Sequence, residues 1–434
     1  MRTLDETLDG SLDQATFDIV EALLRKADKE LAPSPYRYPL AHATYGSHEV
    51  AAALLAMLRR KTSMWETTRS FEQAFVGHQF PDRTDLDAVM VNSGSSADLL
   101  CAFVARPESL DLMPAGSEVL VPAVTWSTHL WSIMMAGYKP VLVDVDPLTF
   151  NIDLEDAGRK VTTRTRGLFL VHLMGFPMDM GSIERFVEEH DLCLMEDCCE
   201  SLGASWGDKK VGQFGKVASF SFFFSHHMTT MEGGIIVAPH EFIEELRLLR
   251  AHGWSRGVTS NSKAEFSTLD GIDPRYRFEG WGFNVRPTEL NAAFGLQQLV
   301  RLDSLNDNRQ RNYDVIRSFV SDECPGVTFP ELPPLGRANP FAVAFTCPPG
   351  WRQPMQNHLE SMGVETRSLV AGNLGRHPAA KRLGLEWSGL DGADRLHFDG
   401  MYIGLHASDD SSAETEFAAR AVVEAYRAVE SELS

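Results

Sequence analysis

Three stretches hold side chains with chemistry to offer. The first is Ser219-Phe220-Ser221-Phe222-Phe223-Phe224-Ser225-His226-His227-Met228-Thr229-Thr230-Met231-Glu232-Gly233-Gly234. Its alternating Ser and Phe read as a strand, with hydroxyls on one face and rings on the other. Two histidines and two threonines then break the pattern before paired glycines and the apolar Ile235-Ile236-Val237. Polar side chains that leave a buried strand in this way line a site, and an imidazole there can move a proton near neutral pH. The second stretch, Asn92-Ser93-Gly94-Ser95-Ser96, follows an apolar strand and opens a helix. Its free N–H groups and the helix dipole make a seat for an anion. The third, Met195-Glu196-Asp197-Cys198-Cys199-Glu200, ends another apolar run. A carboxylate in that position is costly unless it is paired.

In this order and spacing the stretches resemble the pyridoxal-phosphate (PLP) enzymes that modify nucleotide-linked keto sugars. That family holds the sugar aminotransferases and their dehydratase relatives. Its pattern over the first stretch is Ser-Phe-x-x-x-Lys-x-x-Thr-x-Gly-Glu-Gly-Gly. Here Ser221, Phe222, Thr229, Glu232, Gly233 and Gly234 match, His226 takes the lysine position and Met231 takes a glycine position. A lysine amine forms a Schiff base to PLP, whereas an imidazole cannot. The chain is therefore most similar to the histidine-bearing GDP-4-keto-6-deoxymannose 3-dehydratase branch, which removes a hydroxyl instead of delivering an amine. A shifted register does not restore the lysine. Lys209 and Lys210 leave a turn at Gly207-Asp208, well before the strand, and moving Lys216 into place loses the Thr-Thr…Gly-Gly sequel.

The resemblance implies roles for individual residues. Gly94, Ser95, Ser96 and Ser221 would hold the PLP phosphate. Trp126, in Val121-Pro122-Ala123-Val124-Thr125-Trp126, would cover one face of the ring, and Asp197 would bond its protonated nitrogen. Glu200 stands where aminotransferases keep glutamine. It reads either as an acid near the cofactor's ring oxygen or the sugar, or as a solvated acid at a helix start. Asn284, in Gly282-Phe283-Asn284-Val285-Arg286, would reach the phosphate of a neighbouring subunit and so imply a homodimer. His172 matches a position near the cofactor, with a structural histidine as the alternative; for His227 both readings stand, a share in the acid–base role or none. His252, Arg367 and Asn373 fall in segments that line the sugar–nucleotide site. Trp65 reads as a stacking or a packing residue.

The implied reaction is 3-dehydration of a nucleotide-linked 4-keto-6-deoxy sugar. PLP or its amine form, PMP, would be held non-covalently, His226 and Glu200 would be the catalytic pair, and PMP would be regenerated from an amino acid such as glutamate. The segment 250–283 contains no cysteine for an iron–sulfur cluster, so no external reductase is expected. Two alternatives stay open: an aminotransferase-like enzyme with a different PLP reaction, and a lysine-less binding protein of the same fold.

These residues need a scaffold, and the rest of the chain supplies one. Short apolar runs at 88–91, 118–121, 140–145, 167–171, 192–195 and 234–237 alternate with helical stretches such as 180–190. That alternation predicts an α/β fold with a mainly parallel sheet flanked by helices; the resemblance makes this the large domain of fold type I, followed by a smaller C-terminal α+β domain. The expected organisation is an N-terminal helix and extended segment over 1–45, a PLP-binding domain over 46–310 and the C-terminal domain over 311–434. Pro33, Pro35 and Pro39 force the extended segment. Helices are expected over 47–60 and 288–306, another from about 310, and C-terminal strands over 341–347 and 401–405. With 40 basic against 60 acidic residues and a net charge of -20, the chain lacks a nucleic-acid footprint. No apolar run is long enough for a membrane span, no signal core precedes the first helix, and the expected location is the cytoplasm. The six cysteines read as buried thiols, not as a disulfide framework or metal site.

Overall fold

The computed structural model describes residues 10–30, 34–255, 273, 276–385, 387–408 and 411–433. Pro33 lies outside them, as does 256–272 of the cysteine-free segment. The apolar runs become strands β1 Leu86–Val91, β2 Glu118–Pro122, β3 Lys139–Val143, β4 Thr165–Val171 and β5 Cys193–Asp197. Two short strands, β6 Ser205–Trp206 and β7 Lys209–Lys210, precede β8 Val217–Ser221 and β9 Gly234–Pro239. The main sheet has the order β1-β9-β8-β5-β4-β2-β3. Neighbours from β3 to β8 pair in parallel, and β9 runs antiparallel to both β1 and β8.

Such strands are apolar throughout because helices cover both faces. On one face Val121, Phe169 and Met195 pack with Leu100 and Phe103 of α4 (Gly94–Val104) and Leu130 of α5 (Thr128–Met135). On the other, Leu120, Leu168 and Leu194 meet Ile183 and Phe186 of Met180–His190. The Ser/Phe alternation splits as expected. Phe220 and Phe222 lie edge-on to Phe75 at 5.4 and 5.5 Å, whereas Ser219 Oγ donates to Asp98 of α4 at 2.6 Å.

Two expectations need correction. The Ser/Phe strand stops at Ser221, because Phe222 already joins a turn in which the Thr230 N–H donates to its carbonyl at 2.9 Å. The stretch 288–323 is one helix, Glu289–Glu323, of 35 residues, with no break near 306–310. No proline interrupts it, and Leu299, Leu302, Leu305, Tyr313, Ile316 and Val320 keep one flank buried along its length. The expected boundary at 310/311 thus falls within a continuous helix.

Beyond that helix β11 Val343–Thr346, β12 Thr366–Ser368 and β13 Gly400–Ile403 form an antiparallel sheet in the order β11-β13-β12, and Gly336–Arg337 (β10) pairs with β6. The N-terminal segment crosses to this sheet. Tyr38 stacks on His406 at 4.0 Å, and its N–H donates to Gly363 at 2.9 Å. Among the described residues no helix is long and apolar enough to cross a membrane.

Glu289, in the first turn of the long helix, joins it to α3 (Glu66–Gln79). Its carboxylate accepts from the N–H groups of Trp65, Thr67 and Thr68 at 2.6, 2.8 and 3.0 Å and from Thr68 Oγ1 at 2.7 Å. These are otherwise unsatisfied donors at a helix N-terminus, where an anion is favoured. Glu289→Ala should therefore lower unfolding free energy by about 2–3 kcal/mol in denaturant titration, with Glu289→Gln costing less.

Candidate active site

Parallel strands end at one edge, and the polar stretches gather there. Asn92 follows β1, Trp126 follows β2, Asp197 ends β5 and Ser221 ends β8. Gly94 brings the α4 turn onto β8: a Cβ built on it would lie 2.6 Å from Ser221 Cβ and 3.2 Å from Cys199 Sγ. No larger residue fits without displacing Ser221. The turn is held by the Ser96 N–H donating to Ser93 Oγ at 3.1 Å and by Ser96 Oγ donating to Asn92 at 2.7 Å. Ser95 is exposed, with its hydroxyl 3.0 Å from that of Thr128. Ser95, Ser96 and Ser221 thus surround the start of an 11-residue helix, which suits an anion.

Asp197 is buried at the edge of this seat. Its carboxylate accepts from the Cys199 N–H at 2.7 Å and lies 2.9 Å from His129 Nε2. Burial opposes its charge, yet His129 and the hydrogen bond hold its carboxyl below the ordinary range. Trp126 is 58% exposed, an uncovered aromatic face beside a buried anion. Phosphate seat, exposed ring and buried carboxylate match the three parts of a pyridine phosphate, so these residues fit such a cofactor.

His226 lies beyond Ser221 with its Nδ1 2.7 Å from the Cys199 carbonyl. A carbonyl only accepts, so Nδ1 carries the proton and Nε2 keeps its lone pair. Burial pushes this imidazole down to about 4. Burial pushes the adjacent Glu200 carboxyl up to about 7, against the opposing hydrogen bond from the Met174 N–H at 2.9 Å. Glu200 directly follows Cys199, whose carbonyl holds His226 Nδ1, so a neutral base and a carboxyl that holds its proton near neutrality are tied to one turn, an arrangement suited to acid–base work. His227 is different: it is fully buried, with Nε2 donating to the Asn339 carbonyl at 3.0 Å, and it packs below the loop.

Other expected residues divide by location. Asn284 is exposed and sits opposite Ala251 in a bridge, beside His252, whose N–H donates to Phe283 at 2.7 Å. The Asn92 N–H donates to Val285 at 3.0 Å, which joins this edge to the anion seat. Trp65, 59% exposed, lines a cleft of about 240 Å³ with Arg69, Arg250 and Arg286. Arg367 lies on β12 opposite Tyr402, and Tyr402 feels the charge of Glu200, so the C-terminal sheet overlooks the acid.

Asn373 is a correction to the substrate-lining group. It is fully buried, with Nδ2 donating to Asp394 at 2.7 Å and Oδ1 accepting from Gly375 at 2.9 Å. Its backbone meets Val124 in an antiparallel bridge. His172 takes its structural alternative, since it is fully buried with Nε2 3.2 Å from Glu196. Lys216 precedes β8 at the sheet edge opposite Ser221, and Lys209 and Lys210 belong to the small sheet. The sequence reading missed His129 and Asp98. Both sit at helical positions inside apolar segments, where only an unmatched charge signals them.

The DegT/DnrJ/EryC1/StrS aminotransferase family model matches residues 45–415. A GDP-4-keto-6-deoxy-D-mannose 3-dehydratase of Escherichia coli O55:H7 (strain CB9615 / EPEC) is 32% identical over 384 residues, 85% of this chain and 95% of its own length. A GDP-perosamine synthase of Caulobacter vibrioides (strain ATCC 19089 / CIP 103742 / CB 15) is 34% identical over 288 residues, 65% of this chain and 71% of its own. A crystal structure of a GDP-4-keto-6-deoxymannose-3-dehydratase with a trapped PLP-glutamate geminal diamine superposes with a TM-score of 0.79 at 30% identity, covering 89% of this chain and all of that one.

The tautomer and burial of His226 lead to a direct measurement. Its ring should stay neutral in an NMR titration of the folded protein until pH falls to about 4. A midpoint near the ordinary histidine value of about 6.5 would contradict this environment.

Proposed function

The chain belongs to the DegT/DnrJ/EryC1/StrS aminotransferase family, and from that premise we propose that it is a PMP-dependent 3-dehydratase of a nucleotide-linked 4-keto-6-deoxy sugar. The observation that carries this reading is the imidazole of His226, standing where a lysine would bind PLP covalently, with Nδ1 fixed on the Cys199 carbonyl and Nε2 free. PMP, when bound, supplies the amine that condenses with the 4-keto group and the ring that accepts the resulting electron pair.

The chain's own residues then have distinct work. Gly94, Ser95, Ser96 and Ser221 hold the phosphate, and Trp126 covers the ring. Asp197 keeps the ring nitrogen protonated. His226 Nε2 removes the proton from C4′ and delivers it to the departing 3-hydroxyl. Glu200, with its carboxyl near neutrality, assists at the sugar. Without a lysine amine no side chain would link the cofactor covalently, and an amino acid such as glutamate would be the amine donor. Asn284 completes the site of a second copy. Support for that homodimer comes from Trp65, Phe278 and Trp281, each more than half exposed around this edge. The intact seat around Asp197 argues against a binding protein that has lost its chemistry.

Three outcomes are expected. Incubation with PMP, glutamate and a panel of nucleotide-linked 4-keto-6-deoxy sugars should give a 3-deoxy sugar and ammonia, whereas accumulation of an amino sugar would make the enzyme an aminotransferase. His226→Asn should lower the rate by about 10²–10⁴-fold. His226→Lys should make PLP trappable on the chain by borohydride and suppress dehydration. Borohydride trapping in the unsubstituted protein would overturn the assignment.

A further inference from the structure

Beneath Asp197 lies a group of three ionisable side chains that the proposed reaction does not use directly. Asp98 of α4, His129 of α5 and Asp197 of β5 are all buried, with a ring nitrogen and one oxygen of each carboxylate within 4.8 Å of one another. His129 Nε2 is 2.9 Å from Asp197 Oδ2 and 3.8 Å from Asp98 Oδ2. It is close to both carboxylates and in an aligned hydrogen bond with neither. Nδ1 lies 3.0 Å from the Trp126 carbonyl and 2.8 Å from Thr125 Oγ1.

The proton count follows from these contacts. The carbonyl of Trp126 requires a proton on Nδ1. A neutral ring would then aim the bare lone pair of Nε2 at two carboxylates, which is repulsive. His129 is therefore doubly protonated, and the charges of Asp98 and Asp197 outweigh burial to hold it up at about 9. Two carboxylates around one imidazolium leave a single unbalanced negative charge in a site almost closed to water, and such a charge is expensive. It can be neutralised in two ways. A proton can bind to Asp98, or a cationic ring nitrogen can arrive at Asp197.

Resting on the cofactor reading above, we propose that Asp98 is a positioning residue that couples cofactor binding to proton release: it holds a proton when the seat is empty and gives it up when a protonated ring nitrogen meets Asp197. Asp98 faces His129 and Asp197, with the thiols of Cys101 and Cys199 near them and Ser219 Oγ donating to its other oxygen at 2.6 Å. Burial first, and then the charge of Asp197, raise its carboxyl to about 7, so the exchange falls at neutral pH. The raised value also has a sign in the empty protein. A carboxyl whose folded value lies above its unfolded one contributes stability that is present at low pH and lost as pH rises through about 7.

Asp98→Asn keeps the shape and the acceptor for Ser219 but cannot titrate. Calorimetry of PMP binding at pH 7, in buffers of different ionisation enthalpy, should show the unsubstituted protein releasing up to about half a proton more per site than Asp98→Asn. Ser219→Ala removes a donor that favours the anion, so it should move the midpoint of release to higher pH. In PMP-free protein, melting temperature should fall between about pH 4 and 7 more steeply than in Asp98→Asn. Equal proton release by the two proteins, or equal slopes without PMP, would overturn the coupling. Failure of the unsubstituted protein to bind PMP would sink the cofactor reading, and the coupling with it; should Asp98→Asn alone fail to bind, an unmoved midpoint in Ser219→Ala would overturn the coupling.

Discussion

The arrangement turns on one carboxylate, that of Asp197, kept ionised at the buried end of a central strand. Removing such a charge from water costs several kcal/mol unless partners compensate. The structure supplies them from two directions: the Cys199 N–H from its own turn and His129 from α5. Placing α5 there fixes the loop before it, and that loop carries Trp126. The residue before Asp197 serves the opposite side. Glu196 accepts from the N–H groups of Gly212, Phe214 and Gly215 at 2.9, 2.7 and 2.6 Å and meets His172. Consecutive carboxylates on one strand point to opposite faces; one organises the approach to β8, the other the chemistry at its end.

The imidazole loop is held as firmly as the strand it leaves. Thr229 Oγ1 donates to the Phe222 carbonyl at 3.2 Å, and Arg309 reaches the His226 carbonyl at 3.3 Å. Asn291 Nδ2 donates to the carbonyls of Thr230 and Glu232, both at 2.8 Å. Side chains that fix a backbone in this way hold the His226 imidazole in one orientation. Met231, at the family's glycine position, adopts φ 69, a left-handed conformation costly for a side chain. The turn keeps the glycine's geometry without the glycine.

Much of this was legible in the amino-acid order. Strands buried on both faces are continuous apolar runs, so six of the main-sheet strands are located within two residues or so. The phosphate turn and Asp197 are local signals, each readable from the few residues around it. What escaped was set by distance in sequence. His129 and Asp98 become informative only when folding brings α4, α5 and β5 together. Asn373 looked free because its partner, Asp394, lies 21 residues away. The helix over 289–323 reads as two because its buried flank changes partner, from the helices Ser47–Leu58 and Glu66–Gln79 to the C-terminal helix Ser412–Leu433, which blurs the periodicity.

That undivided helix has a mechanical meaning. At 1.5 Å per residue, a rod of 35 residues spans about 50 Å. Asn291 and Gln298 grip the imidazole loop from its first half, while Arg309 reaches the carbonyls of Phe341 and Leu405 from its second. The two sheets share one axle and cannot swing apart without bending it. The His226 loop and the C-terminal segment are therefore referenced to one continuous element, and a shift of either is transmitted along it.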